Sequence, residues 1–170
     1  RLDERDIDIS FDIANNPEFL KEGKAVDDFL YPDRIIVGTE NDISSEVFKN
    51  LYRPFSINHE KLIFMDIQSS ELTKYASNAM LAMKISFINE ISQLCDRNGA
   101  NINNVRLGIG SDSRIGYSFI YPSIGFGGSC FPKDVNSLNH QFKDVGLSSV
   151  MSKAILHIND SQYRYFLKKI

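Results

Sequence analysis

The 170-residue sequence has no tryptophan, two cysteines and five prolines, and its charges nearly cancel, 22 acidic against 19 basic. Cys95 and Cys130 are too few for a disulfide scaffold. The histidines His59, His140 and His157 are scattered without metal-ligand spacing, so no metal site is expected. A net charge of −3 lacks the basic excess on which a general nucleic-acid grip rests. The longest unbroken aliphatic run, Ala79 to Met83, falls far short of a membrane span. No basic segment followed by an apolar stretch opens the chain, so nothing suggests secretion. What is present is ordinary: 42% hydrophobic and 24% charged residues, enough to bury a core and too apolar for wholesale disorder. The expectation is a reduced, soluble, cytoplasmic protein of one or two domains, with neither nucleic acid nor membrane as partner.

Along the chain, Ile7, Ile9, Phe11 and Ile13 alternate with Asp8, Ser10 and Asp12, which predicts a half-buried strand over 7–13. Pro17 suits a first helical position, Tyr31-Pro32 breaks the charged segment that follows, and Arg34 to Gly38 reads as a compact strand. Asp42 or Ser44 is the expected cap of a helix reaching about Tyr52, and Leu62 to Met65 has strand character again. Strand, helix, strand in this order predicts an α/β remnant over residues 1–68.

Residues 69–170 read as a mostly α-helical domain built on one long helix. Ser69 and Ser70 are its expected caps, and Asn98-Gly99 its end. Between them nearly thirty residues carry no glycine or proline, a rod of roughly 40 Å at ~1.5 Å per residue. Its apolar positions go almost all the way round the wheel, which predicts burial on several faces, some of it against a second subunit along residues 70–98. Asn101 starts a short helix ending near Gly108, and residues 111–129 form a loop rich in glycine and serine. Pro132 opens a helix that Gly146 ends, and Ser148 or Ser149 caps a last one.

The loop from Pro122 to Asp134 carries the most chemistry. Gly125, Gly127 and Gly128 around Phe126 let the backbone approach a ligand, and the loop runs straight into a helix. A thiol at Cys130 would meet the positive end of that helix and Lys133, both of which favour the thiolate. From these residues alone Cys130 is either a nucleophile or a small buried thiol beside a structural turn. Asp134, one turn on, is either an orienting carboxylate or a plain first-turn acid. Lys74 and Asn78 share a face of the long helix. Lys74 either snorkels to water or sits in a pocket, where with Asn78 it would stabilise an oxyanion. Glu18 and Glu22, also four apart, are an acid–base pair or a solvated face. Cys95, among Leu94 and Ile91, is expected in the core. Neither G-x-G-x-x-G nor G-x-x-x-x-G-K-[ST] occurs.

Gly125-Phe126-Gly127-Gly128-Ser129-Cys130-Phe131-Pro132-Lys133-Asp134 resembles the catalytic-cysteine signature of the nucleotide-sugar dehydrogenases, in their UDP-glucose branch. Asn16-Pro17-Glu18-Phe19-Leu20-Lys21-Glu22-Gly23 is similar to the substrate-side segment of that family. Lys74-x-x-x-Asn78, Asp112-x-Arg114-Ile115-Gly116 and Asn159-x-x-Gln162 match in order. The resemblance implies the last strands of a Rossmann-like sheet followed by a helical dimer domain. It implies NAD as cofactor, a UDP-sugar as substrate and a four-electron oxidation of a sugar alcohol to a carboxylate. It implies catalytic roles for Cys130, Lys74, Asn78, Asp134 and Glu18. Phe19, Leu20, Arg114, Tyr121, Gly125, Phe126 and Gly127 would face the substrate, Arg114 that of a neighbouring subunit, and Glu22 and Lys133 the cofactor. GDP-mannose and UDP-N-acetylhexosamine are the alternative substrates, and a non-catalytic dimerisation module is the alternative of another class. The family's water-holding threonine and its C-terminal domain have no counterpart in these residues, so the chain is expected to be the middle of an enzyme and inactive alone.

Overall fold

The structure, a computed structural model, describes residues 11–55 and 61–169. Two compact units follow one another along the chain, residues 1–74 and 75–170.

The first unit is organised by β2 (Ile35–Thr39), whose residues Ile35 to Gly38 are all buried. A strand buried on both faces is what a near-continuous apolar run produces in a parallel sheet. It pairs in parallel with β3 (Leu62–Met65), in register from Ile35 opposite Leu62 to Gly38 opposite Met65. The crossover between them contains α2 (Asp42–Tyr52), so the unit is a βαβ element. The cap of α2 is Asn41, whose side chain accepts the Ser44 amide at 2.8 Å, in place of the expected Asp42 or Ser44. Gly38 is required at its position: a Cβ there would lie 2.4 Å from Ser70 Oγ and 2.8 Å from Ile67 Cα.

Of the strand expected over 7–13, residues 7–10 lie outside the described residues. Phe11 and Ile13 are exposed, and among the described residues the pairing in this stretch is β1 (Ala14–Asn15), antiparallel to Thr39 and Gly38. β2 ends at Thr39 before the chain turns into α2, so residues 11–13 find no β2 partner opposite them. A short helix, α1 (Ala25–Leu30), completes the stretch before β2.

The helix α3 (Ile67–Asn98, 32 residues) begins in the first unit and continues through the second. It starts ahead of Ser69 and Ser70 because Asp66 serves as its cap: Asp66 Oδ1 accepts the Ser69 amide at 2.7 Å. The hydroxyl and amide of Ser69 hold the Asp66 carboxyl below the usual aspartate range. Gly99, at φ 80°, ends the helix as its sequence demands.

In the second unit α4 (Ile102–Gly110), α5 (Cys130–Asp144) and α6 (Val150–Leu167) accompany α3. The core is Ala79, Ala82, Val135, Leu138 and Ile155, bordered by Tyr75, Met83, Phe126, Phe131 and Phe142. Small residues on the buried face of α3 permit close approach, and Ser86 Oγ donates to the Ile155 carbonyl of α6 at 3.1 Å. Cys95 is buried, in the core as expected. Among the described residues, no helix is long and apolar enough to cross a membrane, and no group of three or more metal-ligating side chains assembles.

Candidate functional site

In the first unit, the segment after β1 is tied to its sheet by Asn16, which donates to the Ile36 carbonyl at 2.7 Å and accepts from the Tyr52 hydroxyl. That anchor delivers Glu18 and Phe19 to the start of α3. Lys74 forms an ion pair with Glu18 Oε1 at 2.9 Å and donates to the Glu18 carbonyl as well. The other carboxylate oxygen, Oε2, accepts the Leu20 amide at 2.8 Å. Lys74 therefore does not snorkel freely: its side chain is 15% exposed. The Phe19 ring carries the Arg34 guanidinium 4.2 Å from its centroid and the Lys74 ammonium at 5.4 Å. Asn16, Glu18, Phe19, Leu20, Arg34 and Tyr52 are among the walls of a cleft of about 110 Å³. Glu22 lies in the exposed loop ahead of α1.

In the second unit, Cys130 is the first residue of α5 rather than the last of the loop, and Pro132 is the third helical residue rather than the opener. The chain turns helical early because Gly128 takes φ 75° immediately before Ser129. Proline still belongs to the first turn, where its missing N–H has no intrahelical partner to lose. Cys130 is half-buried, its Sγ 3.7 Å from Ser129 Oγ. Asp134 faces inward, its side chain 2% exposed. Its Oδ2 accepts from Asn78 of α3 at 2.6 Å, and its Oδ1 stands 3.4 Å from Lys133 Nζ, whose side chain is 69% exposed. The Asp134 charge, and secondarily its hydrogen bond, holds Lys133 above the usual lysine range. Asn78, read from the sequence as a partner of Lys74, is committed to Asp134.

The glycine loop is stitched down by side-chain amides, of which those of Asn89 and Gln162 are buried. The Phe126 amide donates to Asn159 Oδ1 at 2.8 Å, and Asn159 Nδ2 returns a bond to the Phe126 carbonyl at 3.0 Å. Gly125 sits at φ 127°, and a Cβ there would lie 2.7 Å from Asn159 Oδ1. Gln162 donates to the Ser123 carbonyl at 2.8 Å and accepts from Gln93, while Asn89 accepts the Ser123 amide at 2.7 Å. Gly127 has open space around it. Asn89 and Gln93 are supports that sequence reasoning missed. Their signal was a polar side chain on a helix otherwise apolar all round, which needs a partner once buried.

Arg114 is not gathered into either cluster. Its side chain is 87% exposed and closes on Asp112 at 2.6 Å, which lowers the Asp112 carboxyl and raises the guanidinium. Tyr121 is exposed, with Arg106 of α4 against its ring.

A parallel βαβ element leading into a helical unit, with a half-buried cysteine opening a helix and a buried carboxylate one turn on, accords with two family matches. Residues 1–56 match the NAD binding domain and residues 68–161 the central domain of the UDP-glucose/GDP-mannose dehydrogenase family. The chain belongs to that family. It is 46% identical over 161 residues to the UDP-glucose 6-dehydrogenase of Rickettsia bellii, covering 95% of this chain and 37% of that protein. It is 50% identical over 143 residues to the UDP-glucose 6-dehydrogenase of Pseudomonas aeruginosa, covering 84% of this chain and 32% of the other. A solved UDP-glucose dehydrogenase from the hyperthermophilic archaeon Pyrobaculum islandicum superposes with a TM-score of 0.89 at 39% identity, over 94% of this chain and 36% of that one. The chain thus spans about a third of the length of the relatives it matches.

Proposed function

We propose that this chain carries the cysteine-bearing portion of an NAD-dependent UDP-glucose 6-dehydrogenase. The observation that supports it most directly is the α5 entrance: Cys130 half-buried as the first residue of that helix, after a loop pinned by Asn89, Asn159 and Gln162, with Asp134 one turn on held by Asn78. The relatives named above are UDP-glucose 6-dehydrogenases, which favours UDP-glucose over GDP-mannose or an N-acetylhexosamine.

NAD, for which the matched N-terminal domain is named, supplies the hydride acceptor in this reading. The β2–α2 turn of this chain does not fit the dinucleotide pyrophosphate. It brings Glu40 and Asp42 to the helix entrance, and Asn41 already consumes the Ser44 amide. Nothing in the chemistry is therefore assigned to that turn. Glu22 and Lys133, both exposed, are the residues assigned to the cofactor side.

The chain's own residues do the following. Cys130 Sγ bonds to the carbonyl carbon of the sugar aldehyde, whose oxygen takes up the electron pair. Lys74 and Asn78 stabilise that oxygen, a cation and an amide donor being suited to developing negative charge. At the acid oxidation level the carbon is held as a thioester on Cys130. Water then adds, the C–S bond breaks, and the carboxylate leaves with the thiol restored. Asp134 positions Asn78 and the water, and Glu18 exchanges protons at hydrolysis, already paired with Lys74. Phe19, Leu20, Tyr121, Gly125, Phe126 and Gly127 line the substrate, and Arg114, exposed at the surface in its pair with Asp112, is the residue that would reach the sugar of a second subunit.

A homodimer through α3 belongs to the same proposal. Met80, Phe87 and Leu94 recur every seven residues along that helix, each about half exposed, an apolar stripe suited to a second copy. Sedimentation as a monomer at tens of micromolar would count against it.

The product of the full reading frame is expected to form NADH from UDP-glucose and NAD in a two-to-one ratio to sugar, and its Cys130→Ser variant to lose steady turnover. Preference for GDP-mannose would overturn the substrate assignment, and full activity of the serine variant would overturn the nucleophile. The 170-residue chain alone is expected to be inactive, since it holds no glycine-rich phosphate loop.

A further inference from the structure

Arg106 lies on α4 and takes no part in the chemistry above. Its guanidinium carbon stands 3.7 Å from the centroid of the Tyr121 ring and 5.5 Å from that of Tyr117. Its Nε is buried without a hydrogen-bond partner. A guanidinium whose Nε goes without a hydrogen bond while its carbon lies this close to a ring is packed by its flat face, the geometry arginine has and lysine lacks. The arrangement is built from both sides. Tyr117 fits beside α4 because residue 110 is glycine: a Cβ there would lie 2.4 Å from Tyr117 Cδ1 and 2.5 Å from Cε1. Gly110 thus admits Tyr117, Tyr117 flanks Arg106, and Arg106 backs Tyr121.

Tyr121 remains 60% exposed with that backing in place. It forms part of the wall of an open cavity of about 460 Å³, together with Ile85, Ser118, Phe119, Ser123 and Gly125. Ser123 in this wall is pinned by Asn89 and Gln162, and Gly125 lies against Asn159. Phe119 is held at φ 64°, its ring 6.3 Å from that of Phe131. For Tyr121 the described structure provides Arg106.

We propose that Arg106 is a positioning residue that holds the Tyr121 ring as a fixed wall for the nucleotide part of the substrate, acting by the stacking of its guanidinium on that ring rather than by a charge contact with phosphate. The proposal rests on the assignment of Tyr121 to the substrate side. It identifies α4, the helix ahead of the cysteine loop, as a determinant of nucleotide affinity.

The test measures UDP binding by calorimetry on the product of the full reading frame and its Arg106→Leu, Arg106→Lys, Tyr121→Leu and Arg106→Leu/Tyr121→Leu variants, with folding checked by circular dichroism. Each single variant is expected to bind UDP about tenfold more weakly, and the double variant no more weakly than Tyr121→Leu alone. With UDP-glucose, KM should rise with kcat changed less than about twofold, the mark of lost uniform binding. Restoration of wild-type affinity by Arg106→Lys would mean a charge contact with phosphate, and additive losses would mean independent roles; either overturns the proposal. The Tyr121 ring resonances of ¹³C-tyrosine-labelled protein give a readout that needs no ligand. They should shift in Arg106→Lys, and an unchanged ring environment would also overturn it. Failure of the wild-type protein to bind UDP while those resonances do shift would instead overturn the substrate assignment.

Discussion

Asn78→Ala removes the hydrogen bond that Asn78 Nδ2 donates to Asp134 Oδ2 at 2.6 Å, and the carboxylate that loses it has a side chain only 2% exposed. A hydrogen bond to a charged group contributes about 1.5–3 kcal/mol, and the group left behind keeps its desolvation penalty. Lys133 compensates little. It stands at 3.4 Å with 69% of its side chain in solvent, where water screens the pair. The expected loss is therefore about 2 kcal/mol, read in urea unfolding as a lower midpoint with unchanged slope. Asn78→Asp should cost more, because it sets a second carboxylate against the one it formerly hydrogen-bonded. Removing both partners, in Asn78→Ala/Asp134→Ala, should cost clearly less than the sum of the single variants. A loss under about 0.5 kcal/mol for Asn78→Ala, or strict additivity in the double variant, would refute the reasoning.

Gly125→Ala places a Cβ 2.7 Å from Asn159 Oδ1 on a backbone at φ 127°, so both the strain and the broken Asn159–Phe126 pair should appear. A loss of about 2–4 kcal/mol in urea unfolding is expected, and a neutral result would show that the loop relaxes freely. Asp28 accepts the Lys21 amide at 2.8 Å and pairs with its ammonium at 3.0 Å, and the amide bond leads in holding its carboxyl below the usual aspartate range. Because the folded value is depressed, the contact is fully present above the ordinary aspartate range and lost as pH falls through the folded value. Protection of the Lys21 amide from hydrogen exchange should fall in that acid window and be insensitive to pH in Asp28→Asn. Half-buried Cys130 should alkylate with a mild thiol reagent well before buried Cys95, and equal slow reaction would argue for two structural thiols.

The amino-acid sequence by itself determined the features that depend on neighbours along the chain. The run Ile35 to Gly38 could only be a buried strand, Asn98-Gly99 could only end a helix, and three glycines ahead of Cys130 could only make a tight entry to α5. The motifs around Glu18, Lys74 and Cys130 were legible in the same way, as residue types at fixed spacing. Caps and starts were local too, yet the sequence offered several competing donors. Asp66 and Asn41 prevailed over the serines and Asp42 because their side chains reach first-turn amides.

Tertiary structure alone decided which polar groups meet. Lys74 and Glu18 are 56 residues apart, as are Asn78 and Asp134, and no periodicity relates them. Tyr121 meets Arg106 across fifteen residues of chain, and Ala14–Asn15 rather than residues 11–13 pair with β2 because β2 ends at Thr39. The physical reason is the same throughout. Backbone propensity and capping act over a few residues, whereas a buried amide, carboxylate or guanidinium finds its partner only after packing has removed the water that would otherwise satisfy it.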